Sequence, residues 1–335
     1  MAVVATGFFD GVHLGHRQVI QTLVSSARQK GEEAIVVTFA QHPRAVLQQD
    51  ARDLRLLNSP QEKEALLRAL GVDRVEVLPF DRAFARLTAE QYIRTVLQER
   101  LGATRLVLGY DNRLGSDRLT PDLIAPLAQS LGLEVVIVPA AVAGVVESAA
   151  ASPDRSHPRL RKRAGPAADG GGRGPATPDV RRGWLPWNEA ATAVSSTKIR
   201  EALSKGEVDA AEAMLGYAYM LRGVVVGGKQ LGRTLGYPTA NLRLYDPMKL
   251  VPARGVYLTE VEVLGSHYWG MTNVGDIIET HIFDFSEDIY GLDLQIRFRR
   301  WLRAMCSFDG LDALKAQLAA DEAACRGLLG SLGPL

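Results

Sequence analysis

With 335 residues the chain is too long for one compact core, and two domains are expected. Apolar side chains make up 47% of it, while 39 basic against 38 acidic residues leave a formal charge of +1. That balance excludes a global field that would gather nucleic acid or a membrane surface. The two cysteines, Cys306 and Cys325, have no metal-ligand spacing and read as unpaired thiols of a reducing cytoplasm. No apolar run is long enough to cross a bilayer, and MAVVATGFF, which lacks a basic region, reads as a buried strand rather than a signal peptide. A cytoplasmic monomer or weak oligomer, with neither membrane nor nucleic acid as partner, is expected.

Over residues 1–139, five short runs rich in Val, Ile and Leu (VVATGFF, AIVVTFA, RVEVLPF, RLVLGY and EVVIVPA) have the pattern of strands buried on both faces. Helical stretches lie between them, around HRQVIQTLVSSARQ, SPQEKEALLRAL, TAEQYIRTVLQER and TPDLIAPLAQSL. Ser59-Pro60 and Thr120-Pro121 place a capping hydroxyl ahead of a proline in the first helical turn. Alternation of this kind predicts a Rossmann-like parallel sheet wrapped by helices, with ligands beyond the strand C-termini.

Periodicity vanishes over residues 140–187. Residues 154–182 hold eight basic and three acidic side chains among glycines and prolines, with almost nothing to bury. A disordered basic linker or insertion is the expectation, a segment read out of frame the alternative. Helical signals resume over 188–216 and end at Gly216. From 217 to 335, MLRGVVVGG, GVYLTEVEVL, YWGMTNVG, THIFDF and LDLQIRFRRWL alternate like antiparallel strands, which predicts a small β-barrel. A C-terminal helix follows, with Leu311, Leu314, Leu318, Cys325 and Leu328 on one face.

Four constellations carry chemistry. GFFDGVHLGH, residues 7–16, ends a strand in a glycine-bearing turn and brings His13 and His16 in as a helix begins. Exposed amides and the positive helix end suit an anion there, and two imidazoles can donate to phosphate oxygens. SSTKIR, residues 195–200, opens the helix after the linker with hydroxyls and two cations; alone it is an ordinary helix cap. GGKQLGRTLGYPTANL, residues 227–242, approaches a Walker loop, but Arg233 replaces its lysine and Pro238 stands where a helix would run, so that reading is rejected. In ETHIFDFSEDIYG, residues 279–291, alternation puts Glu279, His281 and Phe283 on one strand face.

Taken together, GFFDGVHLGH, TFAQHP, GYDNRLG and SSTKIR resemble the adenylyltransferase half of the bacterial bifunctional riboflavin kinase/FAD synthetase family, and G-R-x-x-G-Y-P-T-A-N resembles its kinase signature. The resemblance implies that His13, His16 and Arg200 serve adenylyl transfer, and that Gly7, Phe8, Asp10, Ser196, Thr197 and Lys198 bind ATP. It places flavin at Asp111, Asn112 and Arg113, where Leu114 stands in place of the family's usual aromatic. In the kinase half it assigns Gly228, Arg233, Thr239 and Asn241 to ATP. Thr239 and Asn241 are also neutral oxygen donors for Mg2+. It makes Glu279 the general base toward riboflavin. Riboflavin, FMN and ATP are the implied substrates. The family's longer hairpin before this glutamate is missing, since Asn273-Val274-Gly275 runs almost directly into Glu279. Adenylyl transfer alone, or a flavin- or RNA-binding regulator, stand as the alternatives.

Overall fold

In the computed structural model, residues 1–47, 54–141, 194–228 and 231–332 are described. The expectations for the linker fall on 140–187 and therefore lie almost wholly outside them.

Five strands build the first sheet: β1 (Ala2–Thr6), β2 (Glu33–Phe39), β3 (Arg74–Leu78), β4 (Ala103–Gly109) and β5 (Glu134–Val138). All pair in parallel, in the order β3-β2-β1-β4-β5. All five residues of β1 are buried, as its position in the middle of the sheet requires. Two apolar cores cover the two faces, one through Val3, Ile20, Leu23 and Val36, the other through Val4, Ile35, Ile93 and Leu106.

Helix α1 (Leu14–Lys30) starts on His13 as N-cap and stops at Gly31, whose φ of 64° suits glycine. A short α2 (Pro43–Leu47) follows β2. Helix α3 (Pro60–Ala69) opens with a reciprocal capping box between Ser59 and Glu62. Helix α4 (Ala89–Tyr92) runs on into a π-helical stretch, Ile93–Arg100. At α5 (Pro121–Ser130) the expected cap is absent: the Thr120 side chain makes no capping bond to the helix backbone, and Asp122 supplies the acidic first turn.

The second half is a closed six-stranded antiparallel barrel. Its strands are β6 (Met220–Val226), β7 (Ala240–Leu244), β8 (Gly255–Val263), β9 (Ser266–Val274), β10 (Ile278–Ile282) and β11 (Asp293–Ala304), in the order β10-β7-β6-β11-β8-β9. Strand β7 carries the A-N-L-R-L run, read in the sequence only as part of a motif. A four-residue α8 (Leu231–Thr234) sits between β6 and β7. Three fully buried threonines satisfy one another inside the barrel, Thr259 to Thr272 at 2.8 Å and Thr272 to Thr280 at 2.9 Å. Helix α9 (Leu311–Leu332) packs on the barrel through Leu318, Cys325, Leu328, Leu329 and Leu332. The expected stripe is corrected at its start, where Leu311 is 56% exposed. On the packed face, Asp321 is buried in a two-toothed pair with Arg303.

Helices α6 (Ser196–Ser204) and α7 (Val208–Leu215) join the two halves. Ile199, Leu203 and Leu215 share one core with Leu57 and with Tyr219, Leu242 and Phe298 of the barrel half. Leu57 thus ties the sheet half, which keeps its own two cores, to the core that runs through α6, α7 and the barrel. The helices re-enter beside the sheet, for Val194 N–H donates to the Ala141 carbonyl at 3.2 Å.

Candidate active sites

The turn after β1 lies at the C-terminal edge of the sheet, beside the point where strand order reverses between β1 and β4. Asn112 staples that crevice: its Nδ2 donates to the Thr6 carbonyl at 2.9 Å and its Oδ1 accepts from Gly109 N–H at 3.2 Å. The turn is strained. Phe9 and Val12, neither a glycine, stand at φ of 54° and 36°, a conformation that costs about 1–3 kcal/mol per residue and persists only under outside restraint. Asp10, 4% exposed, provides much of that restraint. Its Oδ1 accepts from Leu57 N–H at 2.9 Å and Asn58 N–H at 3.3 Å. Its other oxygen pairs with Arg200, and its backbone carbonyl accepts from Ser196 Oγ at 2.8 Å. Desolvation raises the Asp10 pKa against these partners.

His13 and His16 stack with ring centroids 3.6 Å apart and planes 15° from parallel. His13 Nδ1 accepts from His16 N–H at 3.3 Å, so in the neutral ring the hydrogen sits on Nε2. Burial pushes the His13 pKa down to about 4 and that of His16 well below its ordinary value. His16 Nδ1 is buried without a hydrogen-bond partner, an uncompensated polar atom of the kind a ligand satisfies.

These residues open on a cavity of about 860 Å³. It brings together Gly7, Phe8, Asp10, His13 and His16 with His42 of TFAQHP, with Asp111, Asn112 and Arg113, and with Ser196. Phe39, Phe80, Phe84 and Tyr92 form an aromatic wall, with edge-to-face or tilted contacts between 5.2 and 5.8 Å. No local pattern announces this wall, because its members come from three separate stretches. Leu114, 6% exposed, lines the cavity too.

Three expected members stand back from it. Thr197 is exposed on the first turn of α6, and Lys198 N–H caps onto Ser195 Oγ at 3.4 Å. Arg200 is committed to Asp10 and to the Arg55 carbonyl at 2.8 Å. A further cation, absent from the motifs, lies beneath the turn without lining the cavity. Lys63 Nζ donates to the Phe8 carbonyl and to Thr38 Oγ1, both at 3.0 Å, and lies 3.9 Å from the Phe8 ring centroid. Burial lowers its pKa to about 8. Its position four residues before Leu67, on the buried face of α3, was the one signal available.

A second constellation lies on the barrel. Glu279 of β10 is the register partner of Asn241 on β7 and of Asn273 on β9. The three therefore share one face, opposite the one that turns Ile278, Thr280 and Ile282 inward. Oδ1 of Asn241 and Oδ1 of Asn273 are both buried without a partner. Gly228 packs against Asn241 so closely that a Cβ there would lie 2.1 Å from Nδ2. His281 Nδ1 sits 2.8 Å from the Pro238 carbonyl and pins the P-T-A-N turn to β10. Arg233 and Thr239 line a cavity of about 330 Å³, together with residues 285–290, and neither Asn241 nor Glu279 is part of that lining. The structure thus divides the expected kinase residues between a cavity and the adjoining strand face. The β9–β10 connection is a tight turn closed by Gly275 N–H to the Ile277 carbonyl at 3.1 Å.

Among the described residues no helix is long and apolar enough to cross a membrane, and no cluster of three acidic, histidine or cysteine side chains could hold a metal ion. The FAD synthetase family profile matches residues 1–148, and the riboflavin kinase profile matches residues 215–329. A bifunctional riboflavin kinase/FMN adenylyltransferase of Listeria monocytogenes is 31% identical, over 98% of this chain and 93% of its own. Its Escherichia coli counterpart is 32% identical, over 99% and 94%. A crystal structure described as a macrolide-efflux protein from Streptococcus pneumoniae superposes with a TM-score of 0.77 at 32% identity, covering 97% of this chain and 93% of that one. With this likeness running through both the sheet and the barrel, the chain belongs to the bifunctional riboflavin kinase/FMN adenylyltransferase family.

Proposed function

We propose that this protein phosphorylates riboflavin to FMN at the barrel and adenylylates FMN to FAD at the sheet, with ATP as donor in both reactions. The observation that carries the reading is the first cavity, which gathers four motifs from distant parts of the chain around a stacked, neutral histidine pair. Functionally the chain divides into an adenylyltransferase region, 1–139, a segment that completes its site, 188–216, and a kinase region, 217–335.

In adenylyl transfer, an FMN phosphate oxygen attacks the α-phosphorus of ATP and pyrophosphate leaves. His13, which in its neutral form carries a hydrogen on Nε2, and His16, with an unpartnered Nδ1, act on the phosphate oxygens as their charge grows. Gly7, Phe8, Asp10 and Ser196 shape the ATP side. Asp111 and Arg113, with the aromatic wall, hold the flavin side. Asn112 contributes by fixing the crevice. Thr197, Lys198 and Arg200 act from behind the turn, Arg200 by fixing Asp10.

In phosphoryl transfer, Glu279 takes the proton of the riboflavin 5′-hydroxyl as that oxygen attacks the γ-phosphorus. Gly228, Arg233, Thr239 and Asn241 form the ATP side. A Mg2+ ion entering with ATP would be held by the unpartnered Asn241 Oδ1 or by the Thr239 hydroxyl, neutral donors that would leave the ion its waters and phosphate oxygens. Such an ion would spread the charge of the transferring phosphate. The tight turn at 275–277 favours a second reading, in which only adenylyl transfer operates. We further place the protein in the cytoplasm, as a monomer or weak oligomer with neither membrane nor nucleic acid as partner. Chromatographic separation of riboflavin, FMN and FAD after incubation with riboflavin, ATP and Mg2+ tests the proposal. FMN followed by FAD is expected; FAD formed only when FMN is supplied would leave the second reading.

A further inference from the structure

The riboflavin kinase match begins at residue 215, yet part of it grips the turn that precedes His13. The Tyr217 hydroxyl donates to the Gly11 carbonyl at 2.8 Å and accepts from Asn58 Nδ2 at 3.2 Å. Lys249, whose side chain is 3% exposed, donates to the Leu57 carbonyl at 2.7 Å, pairs with Glu62 and lies 4.7 Å from the Tyr219 ring centroid. On the other side of the same residue, Leu57 N–H donates to Asp10 Oδ1 at 2.9 Å. Backbone bonds lock this segment to the barrel half: Leu56 N–H donates to the Met248 carbonyl and Leu250 N–H to the Leu56 carbonyl, each at 2.8 Å.

Stability alone does not account for Lys249. A buried ion pair holds a fold no better than apolar side chains of similar size would, because both charges lose their water. What the cation does locally is fix the Leu57 carbonyl, and with it the Asn58 N–H of the same peptide plane that meets Asp10, while the Leu57 N–H is set by the Leu56 carbonyl that Leu250 holds. Neighbouring Gly11 fits so tightly under Leu57 that a Cβ would come within 2.8 Å of its Cδ1. A turn with Phe9 and Val12 at positive φ needs such outside restraint. Neither Tyr217 nor Lys249 lines the first cavity.

We propose that Tyr217 and Lys249, contributed by the kinase half of the chain, are positioning residues for adenylyl transfer. They hold the Asp10–Gly11 turn, which in turn sets the His13–His16 pair against the ATP phosphates. This rests on reading the first cavity as the adenylyl-transfer site. It also means that the sheet half needs the barrel half for its chemistry, although the two reactions occupy different surfaces.

The test uses the full chain and measures the two reactions separately, riboflavin to FMN and FMN to FAD. Tyr217→Phe deletes one hydroxyl and leaves no charge behind. Lys249→Met combined with Glu62→Gln removes the cation without stranding a buried carboxylate. A lost neutral hydrogen bond corresponds to about a tenfold fall in rate, so Tyr217→Phe should lower kcat for FAD formation by about that factor. The double variant should lower it by at least as much. KM for ATP should stay within about twofold, because the loss is one of alignment in the transition state, and riboflavin phosphorylation should be unchanged. Equal losses in both reactions, a loss confined to KM, or unchanged FAD formation would overturn the proposal. A wild-type chain that makes no FAD from FMN would instead overturn the reading of the cavity, and the positioning role with it.

Discussion

Mild acid is the perturbation that bears most sharply on the histidine pair. Burial holds His13 and His42 near about 4 and His16 well below 6.5, so the fold keeps three neutral rings where an unfolded chain binds protons. The sign follows from proton uptake. Above the ordinary value of 6.5 neither state is protonated at these rings and nothing is lost. As pH falls from 6.5 toward 4 the unfolded chain binds more protons, and stability drops. Each ring contributes a slope of up to about 1.4 kcal/mol per pH unit, and three acting together approach about 4 kcal/mol per unit. Urea unfolding measured at intervals from about pH 5 to 7.5 reads this slope directly, in a range above most carboxylate titrations. His16→Asn removes one ring and should flatten the slope by up to about 1.4 kcal/mol per unit. ATP should stabilise more strongly as pH falls, since its phosphates favour the imidazolium form. A stability independent of pH across this range, or an unaltered slope in His16→Asn, would refute the assignment of buried neutral histidines.

The remaining predictions concern the barrel half. Gly228→Ala would drive a Cβ to 2.1 Å from Asn241 Nδ2, displacing that side chain from its place beside Glu279. Riboflavin phosphorylation should fall by about tenfold or more while FMN adenylylation persists, a comparison that steady-state rates of each reaction settle. Among the thiols, Cys306 is exposed whereas Cys325 is buried and pushed up to about 12. A maleimide reagent should therefore label Cys306 in the native chain and Cys325 only after unfolding, as peptide mass mapping would read.

Much of the architecture was legible because burial leaves a local mark. The runs that became β1, β2 and β4 hold unbroken buried apolar stretches, as strands covered on both faces must. The edge strands β3 and β5 depart from that expectation, with only Leu78 and Val138 fully buried. Ser59-Pro60 announced α3 through a capping hydroxyl and a first-turn proline, to which the structure adds Glu62 as the reciprocal half of a capping box. Strand β7 was harder to see, since A-N-L-R-L offers one short alternation inside a segment dominated by turn residues. Leu311 looked like part of a packing stripe, but helical periodicity cannot tell where a helix first meets its partner. Nor could it show that Asp321, on that face, is neutralised by Arg303.

In the first site, His13, His16, Asp111 and Ser196 could be singled out from their motifs, and the cavity does bring them together. What pattern could not reveal was where each cation would be committed. Arg200 turns to Asp10 and Lys63 to the Phe8 carbonyl, choices made by partners far away in the chain. The common core of Leu57, α6, α7 and the barrel was hidden for the same reason: an apolar stripe shows that a face is buried, not against what.

The central claim, two phosphate-transfer sites on one chain, is tested most directly by crossing two single variants. Glu279→Gln keeps the size of the side chain and removes the basic oxygen; His16→Ala removes one donor at the other site, a loss of about two to three orders of magnitude in rate. With riboflavin, ATP and Mg2+, the Glu279→Gln chain should leave riboflavin untouched yet convert supplied FMN to FAD, and the His16→Ala chain should accumulate FMN. An equal mixture of the two should make FAD from riboflavin again. Loss of both reactions in either folded variant, or a mixture that stays inactive, would contradict the two-site account.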